Sequence, residues 1–261
     1  MTVAGRVLLQ GDVHGNTTAV HRALKEAERV EAERVVILGD VGMGWPTGLH
    51  QATGRCTFID KLSKAVDAYG IPLDVFDGNH ENFDYLEDIG AFGATAPVEI
   101  ADGVRYIPRG TVLNWGTSTV LVCGGAYSVD KPRRIPHRSW WPQEEITEAD
   151  LMKCTAAGEV DVVLTHDVCD SGFRAALSQA IEADRTDHER AKELEHLYWK
   201  NDQVFPDARP NRMRLEVVLE SARPKHWVHG HYHAPYRADS STAFIGLAME
   251  TDCGSYTYLD L

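Results

Sequence analysis

The chain has 261 residues, of which 43% are hydrophobic and 25% are charged, so it is long enough to bury a full core and is neither disordered nor fibrous. Acidic side chains outnumber basic ones by 39 to 26, which gives a formal net charge of −13. This charge argues against strong nonspecific binding to nucleic acid or to anionic lipid. An anionic substrate would need a local positive charge.

The cysteines and the short apolar runs indicate a cytoplasmic protein. Five cysteines are scattered along the chain without a C-x-x-C pair, which is typical of a reducing compartment. No apolar run approaches the roughly 20 residues that span a bilayer, so no transmembrane segment is expected. The early Gly11 and Asp12 interrupt any signal-peptide core, so export by that route is not expected.

The first part of the chain repeats a strand, a polar turn and a helix. Buried strands are predicted at residues 6–10, 35–38 and 73–76. Thr17 or Thr18 is predicted to cap the first helix, and Gly70 to end the second. Apolar residues at helical spacing form one face of the first helix: Ala19, Val20, Ala23, Leu24 and Ala27. This alternation predicts parallel strands covered by helices.

The later part of the chain has strands separated mostly by turns, which predicts a second, more antiparallel sheet. The strands are predicted at residues 104–107, 119–123, 160–165, 227–228, 243–247 and 256–259. Two insertions stand out, a basic and tryptophan-containing one near 126–143 and a polar, largely helical one near 172–212. No repeat or linker divides the chain, so residues 1–261 are predicted to form one domain.

Five polar clusters follow predicted strands, at the carboxyl ends where α/β sheets place their sites. They lie at residues 11–16, 39–40, 78–81, 165–167 and 229–233. A strand that ends in Gly-Asp is by itself ordinary turn chemistry. The Gly-Asn-His-Glu and Gly-His-x-His clusters are more specific, and the ordered set of five is hard to obtain by chance.

In this order the clusters, from Asp12 to His233, resemble the pattern of the calcineurin-like metallophosphoesterase superfamily. The resemblance implies an α/β fold, a four-layer α/β/β/α sandwich of two mixed β-sheets flanked by helices, with two metal ions at the strand ends. It implies three ligands for one ion: Asp12, His14 and His233. It implies three for the other: Asn79, His166 and His231. Asp40 would bridge the ions, and His80 would stand beside them without binding metal.

The chemistry of these residue types agrees with that implication. Two neighbouring cations need a bridging carboxylate, which Asp40 suits, and they clamp an in-line displacement at phosphorus. Imidazole, carboxylate and amide ligands favour manganese or iron, with zinc, nickel or cobalt as alternatives, over magnesium. We expect a metal-bridging hydroxide as the nucleophile and His80 as the general acid, so no serine or cysteine nucleophile is required.

The chain departs from the protein Ser/Thr phosphatase branch after Asp40. That branch usually continues with an Asp that supports the histidine acid and an Arg for phosphate, whereas here residues 41–45 read Val-Gly-Met-Gly-Trp. A phosphoprotein substrate is therefore disfavoured. The partner that orients His80 stays open, with Glu81 and Asp77 as its neighbours in sequence.

The insertion near 126–143 has two interpretations that the sequence leaves open. It is either a lid, with Arg133 and Arg134 binding phosphate and Trp140 stacking on a base, or a solvated loop anchored by Trp140 and Trp141. His21 and His229 are more simply a helix-surface and a strand-end histidine.

We therefore expect a dinuclear, metal-dependent phosphoesterase that acts on a small phosphate-ester or nucleotide substrate. Phosphodiesters are favoured for two reasons. A monoester dianion gains more from a fixed cation, and the arginine after Asp40 is missing. Trp140 and Trp141 are possible base-stacking surfaces for a nucleotide. A broad phosphomonoesterase, a non-catalytic interaction scaffold of the same fold and a nuclease on long polymers are the alternatives. The intact clusters argue against the scaffold, and the acidic balance argues against the nuclease. The oligomeric state is not given by the sequence.

Overall fold

The computed structural model describes residues 5–45, 56–183 and 206–261, which form two six-stranded sheets flanked by helices. The strands, in chain order, are β1 (Arg6–Gln10), β2 (Arg34–Ile37), β3 (Leu73–Val75), β4 (Val98–Ala101), β5 (Val104–Tyr106), β6 (Thr111–Trp115), β7 (Ser118–Cys123), β8 (Val162–Thr165), β9 (His226–His229), β10 (Tyr236–Ala238), β11 (Ala243–Gly246) and β12 (Tyr256–Asp260). The α-helices are α1 (Thr17–Arg29), α2 (Thr57–Tyr69), α3 (Phe83–Asp88), α4 (Glu148–Ala156), α5 (Asp170–Ala183) and α6 (Arg209–Ala222).

The two sheets pack face to face and confirm the predicted four-layer α/β/β/α sandwich. The first sheet has the order β12-β1-β2-β3-β5-β4, and the second has β10-β11-β9-β8-β7-β6. Leu9 and Val36 of the first sheet share a buried cluster with Leu164 and Val228 of the second. Residues on the outer face of the first sheet pack against α1 and α2, and those of the second against α4, α5 and α6.

The expectation of a more antiparallel second sheet is wrong. Each sheet has three parallel pairings and an antiparallel strand at either edge. Parallel neighbours need a crossover connection, and α4, α5 and α6 supply it between β7, β8 and β9. The sequence interpretation overlooked α4 and treated 172–212 as an insertion, although its described ends belong to crossover helices. Residues 184–205 of that segment lie outside the described residues.

The membership of two strands also differs from the expectation. β5 and β12, which were predicted among the strands of the second sheet, both belong to the first. β12 pairs antiparallel with β1 over its whole length, from Arg6 opposite Asp260 to Gln10 opposite Tyr256. This long-range pairing closes the sheet beside the strand that carries the first polar cluster.

The helix ends are set by nearby residues, and most lie where the sequence predicts them. Gly70 ends α2 in the left-handed conformation, as predicted. The cap of α1 is Asn16 rather than a threonine, because its side-chain oxygen accepts hydrogen bonds from the backbone of Thr18 at 2.9 Å and of Ala19 at 3.3 Å. The predicted apolar face of α1 is buried throughout. No helix in the described ranges is long and apolar enough to cross a membrane.

Candidate metal centre

The five predicted clusters meet at one edge of the two sheets. Asp12 follows β1, Asp40 follows β2 and the pair of Asn79 and His80 follows β3 in the first sheet. In the second sheet, the cluster of His166 follows β8, and that of His231 and His233 follows β9. Because the strands within each set are parallel, their carboxyl ends bring these side chains together.

One group of potential ligand atoms consists of Asp12, His14 and His233, which all lie within 4.8 Å of one another. The Nε2 atom of His233 is 2.9 Å from Oδ2 of Asp12. The Nε2 atom of His14 is 3.7 Å from the same oxygen and 3.4 Å from His233 Nε2. One carboxylate oxygen and two imidazole nitrogens thus converge on a small volume.

A second group shares Asp12 and adds Asp40 and His166. The Nε2 atom of His166 is 3.1 Å from Oδ1 of Asp40 and 3.2 Å from Oδ1 of Asn79. Its Nδ1 atom is 2.7 Å from the Leu38 carbonyl oxygen, and an N–H there leaves Nε2 as the nitrogen that would bind a metal after losing its own proton.

His231 adjoins the second group. Its ring centroid is 5.0 Å from that of His166, and its backbone N–H donates to Oδ1 of Asp12 at 3.0 Å. Burial lowers the pKa of His231 to about 4, so its imidazole is neutral near pH 7. A neutral imidazole is the form that binds metal.

The centre holds two buried carboxylates, which need positive charge nearby. Asp12 and Asp40 are almost fully buried. Burial opposes protonation of His166, but the carboxylates of Asp40 and Asp12 raise its pKa to about 10. Two buried carboxylates surrounded by imidazoles are a donor set that suits divalent transition-metal ions.

The backbone at the centre is unusual. Four of the seven predicted ligands have a positive φ, a conformation that non-glycine residues rarely adopt: His14, Asp40, His231 and His233. Such conformations concentrate at functional sites, where the surrounding structure holds them. A Cβ atom at Gly78 would collide with Asp40 Oδ1, and one at Gly230 with Asp12 Oδ1, so both clusters need glycine there.

His80 stands at the edge of the centre, with its Nε2 atom 4.0 Å from Oδ2 of Asp40. Its Nε2 atom also lies 2.9 Å from Nη2 of Arg134. Because a guanidinium has only donors, this nitrogen must be the unprotonated acceptor in that contact. Burial lowers the pKa of His80, the Asp40 charge raises it, and Arg134 and His14 lower it further.

Neither sequence neighbour of His80 orients its ring. The Glu81 carboxylate accepts the backbone N–H groups of Val41 at 2.6 Å and Gly78 at 2.7 Å, and burial raises its pKa to about 8. Asp77 pairs instead with Arg109, at 2.6 Å. His80 is held through its backbone, whose carbonyl accepts a hydrogen bond of 2.6 Å from the Trp45 indole and whose N–H donates to Asp40 at 2.8 Å.

The segment of residues 126–143 brings one of its three predicted substrate contacts to the centre. Arg134 reaches His80 and is anchored by Asp130 at 2.7 Å. Arg133 is exposed, and within the described ranges no hydrogen bond or ion pair joins its side chain to the centre. Trp140 is half-buried, with the Lys131 ammonium 4.5 Å from the centre of its ring.

Trp141 belongs to the core of the first sheet, so the expectation that it offers a base-stacking surface is wrong. It is buried and packs edge-on against Trp45, with 5.8 Å between ring centroids. The segment is therefore anchored by Trp141, as the loop interpretation expected, and it also contacts the centre through Arg134.

The sequence analysis missed two polar residues beside the centre, Ser128 and Glu144. The Asn79 side chain donates from Nδ2 to the Ser128 hydroxyl oxygen at 3.1 Å, and that hydroxyl donates to Oε2 of Glu144. Both residues are buried. The available signal was the position of Ser128 just after β7, which is a further strand end at the same edge, whereas no local pattern singles out Glu144.

The comparisons with known proteins agree with this architecture. A structure from Thermus thermophilus, TT1561, is similar over 98% of this chain and 94% of its own, with a TM-score of 0.52 and 13% identity. A dimetal phosphatase from Danio rerio is similar over 99% of this chain and 93% of its own, also with a TM-score of 0.52 and 13% identity. At this identity the likeness shows the fold alone. No curated protein sequence matches the chain significantly.

A family model supplies the assignment. The model of the calcineurin-like phosphoesterase family matches residues 5–235, a stretch that holds all five polar clusters and most of the chain. The chain therefore belongs to the calcineurin-like phosphoesterase family, whose members are metal-dependent phosphoesterases.

Proposed function

We propose that this chain hydrolyses phosphate esters at a centre of two divalent transition-metal ions. The proposal rests on two groups of potential ligand atoms at one edge of the paired sheets. Within each group the atoms lie within 4.8 Å of one another, and the groups share Asp12. The dimetal phosphatase of similar fold from Danio rerio supports it. Manganese or iron is the first choice of metal, with zinc, nickel or cobalt as alternatives.

The proposed ligands are those that the family resemblance implies, and the contacts support them. Asp12, His14 and His233 would hold one ion. Asn79, His166 and His231 would hold the other, and Asp40, whose carboxylate is 3.1 Å from His166 and 3.9 Å from His14, would lie between the two. Bound ions of this kind supply acidification of water and neutralisation of charge at phosphorus.

Two side chains of the chain itself act on the substrate. His80 delivers a proton from Nε2 to the leaving oxygen. Arg134 orients the phosphoryl oxygens, because its planar guanidinium can donate two parallel hydrogen bonds to them. A phosphoryl group seated between the two would separate Arg134 from His80 and free Nε2 to hold the proton that it transfers.

Arg134 bears directly on the substrate class. The diester preference expected from the sequence rested on a missing arginine after Asp40 and on Trp140 and Trp141 as stacking surfaces. Arg134 supplies a guanidinium at the centre from a different segment, and Trp141 is buried. We therefore propose phosphomonoesters as the first class, since their dianion gains most from a fixed cation. Phosphodiesters, including small or cyclic nucleotides, are the second candidate, because the half-buried Trp140 leaves part of a stacking surface in the same segment.

The location proposed is cytoplasmic, because all five cysteines are free thiols and four of them are buried.

The test is a screen of metal-reconstituted protein with 4-nitrophenyl phosphate, bis(4-nitrophenyl) phosphate and a cyclic nucleotide. We expect hydrolysis that requires added Mn²⁺, is abolished by a chelator and is fastest with the monoester. Asp239→Asn is the control, since that carboxylate is exposed and paired with Arg237. Hydrolysis that persists after the metal is removed would contradict the proposal. So would the absence of both metal binding and hydrolysis in folded protein.

A further inference from the structure

We propose that Ser128 and Glu144 orient the Asn79 side chain, so that its amide oxygen rather than its amide nitrogen faces the metal centre. This makes both of them positioning residues of a centre whose metal-binding role rests on the proposed function. They are separated from Asn79 by 49 and 65 positions in the chain.

The three side chains form a directed line of hydrogen bonds. The Nδ2 atom of Asn79 donates to the Ser128 hydroxyl oxygen at 3.1 Å, and the hydroxyl donates to Oε2 of Glu144. On its other side, Asn79 presents Oδ1 to His166, 3.2 Å from Nε2. The line thus runs from a buried carboxylate to the atom that faces the candidate ligands.

The direction follows from donor and acceptor chemistry. When Glu144 is ionised, its carboxylate only accepts, so the single hydroxyl proton of Ser128 is committed to it. The serine oxygen then has only lone pairs to offer, and Asn79 must meet it with its NH₂ group. An amide rotated by half a turn would aim that NH₂ group at the centre, where it cannot bind a cation.

Glu144 is held firmly enough to impose this direction. Its side chain has 0% exposure, and its Oε1 atom accepts the backbone N–H of Trp141 at 3.1 Å. That second contact caps the short turn Pro142–Glu144 and uses only Oε1. Capping therefore does not account for Oε2, which points to Ser128.

The charged form of Glu144 is the form that fixes the direction. Burial raises its pKa to about 8, so without a cation the carboxyl is largely protonated near pH 7, although Ser128, Trp141 and Arg134 favour ionisation. A divalent cation held by Asn79 favours the carboxylate as well, since opposite charges stabilise each other. Binding of the cation and the orientation of Asn79 thus support each other.

The test compares Mn²⁺ binding to the metal-free full-length chain by isothermal titration calorimetry. We expect Ser128→Ala and Glu144→Gln each to lower the affinity for one of the two ions by about tenfold or more and to leave the affinity for the other unchanged. A loss of this size is usual when a metal ligand loses the hydrogen bond that orients it. Excess Mn²⁺ should restore much of the hydrolysis in both variants. The matched control is Glu145→Gln, because the adjacent carboxylate pairs with Lys131 at 2.8 Å instead.

The possible results are distinguishable. If the wild-type chain binds two ions and both variants bind them equally well, the positioning role is wrong and the proposed function stands. If the affinities for both ions fall together and the melting temperature of the metal-free variants falls sharply, the two residues are structural and the inference is overturned. If the wild-type chain binds no metal, the proposed function fails first.

Discussion

Replacing Arg134 by alanine should separate monoester from diester chemistry. Its guanidinium is 9% exposed and lies 2.9 Å from the His80 nitrogen, so little solvent competes for its donors. Two charge-assisted hydrogen bonds to phosphoryl oxygens are worth roughly 1.5 kcal/mol each, or about 3 kcal/mol together. At about 1.4 kcal/mol per tenfold change, kcat/KM for a monoester should fall by about 100-fold.

A phosphodiester should lose less from the same change. A diester carries one negative charge instead of two and has one fewer free phosphoryl oxygen than a monoester. We therefore expect Arg134→Ala to remove roughly half as much transition-state stabilisation, which is about a tenfold fall in kcat/KM. The assay follows nitrophenolate release from 4-nitrophenyl phosphate and from bis(4-nitrophenyl) phosphate at saturating Mn²⁺. Both substrates have the same leaving group, so the comparison isolates the phosphoryl oxygens.

The matched control is Arg133→Ala, which removes the same side chain one position away on the exposed side of the segment. Its kinetics should stay close to wild type with both substrates. Melting temperature is measured for each variant, because Arg134 also pairs with Asp130 at 2.7 Å. Equal losses with monoester and diester, or equal losses in the two arginine variants, would refute this role of Arg134.

Three further changes test other parts of the account. His80→Ala should leave metal content unchanged and lower kcat by about 10² to 10⁴, with a smaller loss for good leaving groups; loss of metal in this variant would make His80 a ligand. Arg109→Met should cost about 3 to 5 kcal/mol in the free energy of unfolding measured with urea, because it leaves the buried charge of Asp77 unpaired, and an unchanged urea midpoint would contradict this. Hydrogen bonds from Lys225 and from the Thr119 backbone lower the pKa of Asp161 to about 2, so its contribution to stability is complete above about pH 4 and is lost as the pH falls towards 2. Wild type should therefore lose more stability than Asp161→Asn over that interval, and parallel melting curves of the two would contradict it.

The fold was predictable where the pattern is local. The strands before the polar clusters are short apolar runs, and helix α1 shows its buried face at regular spacing, so each could be identified without any partner. The arrangement of the second sheet was not predictable, because it depends on recognising α4 as a crossover helix. Only nine residues long, α4 has a weak apolar pattern in which Asp150 and Cys154 are the buried positions.

The candidate site also contains residues that the local sequence predicts and residues that it does not. The seven predicted ligands lie at strand ends, where glycine, aspartate, asparagine and histidine form dense clusters that a sequence displays directly. Arg134, Ser128 and Glu144 reach the centre only because the chain after β7 folds back over it. The hydrogen bonds that join Ser128 to Asn79 and Arg134 to His80 span 49 and 54 positions, so nothing near these residues in sequence indicates the contact.

A dinuclear centre requires that the chain bind two metal ions. The decisive measurement is the Mn²⁺ content of wild-type protein and of Asp40→Asn after reconstitution and removal of loose metal, determined by elemental analysis. Close to two ions per wild-type chain are expected. The variant should lose both, because the carboxylate between them is replaced by a neutral amide. A wild-type chain that holds no metal, or a variant that still holds two ions, would contradict the dinuclear centre.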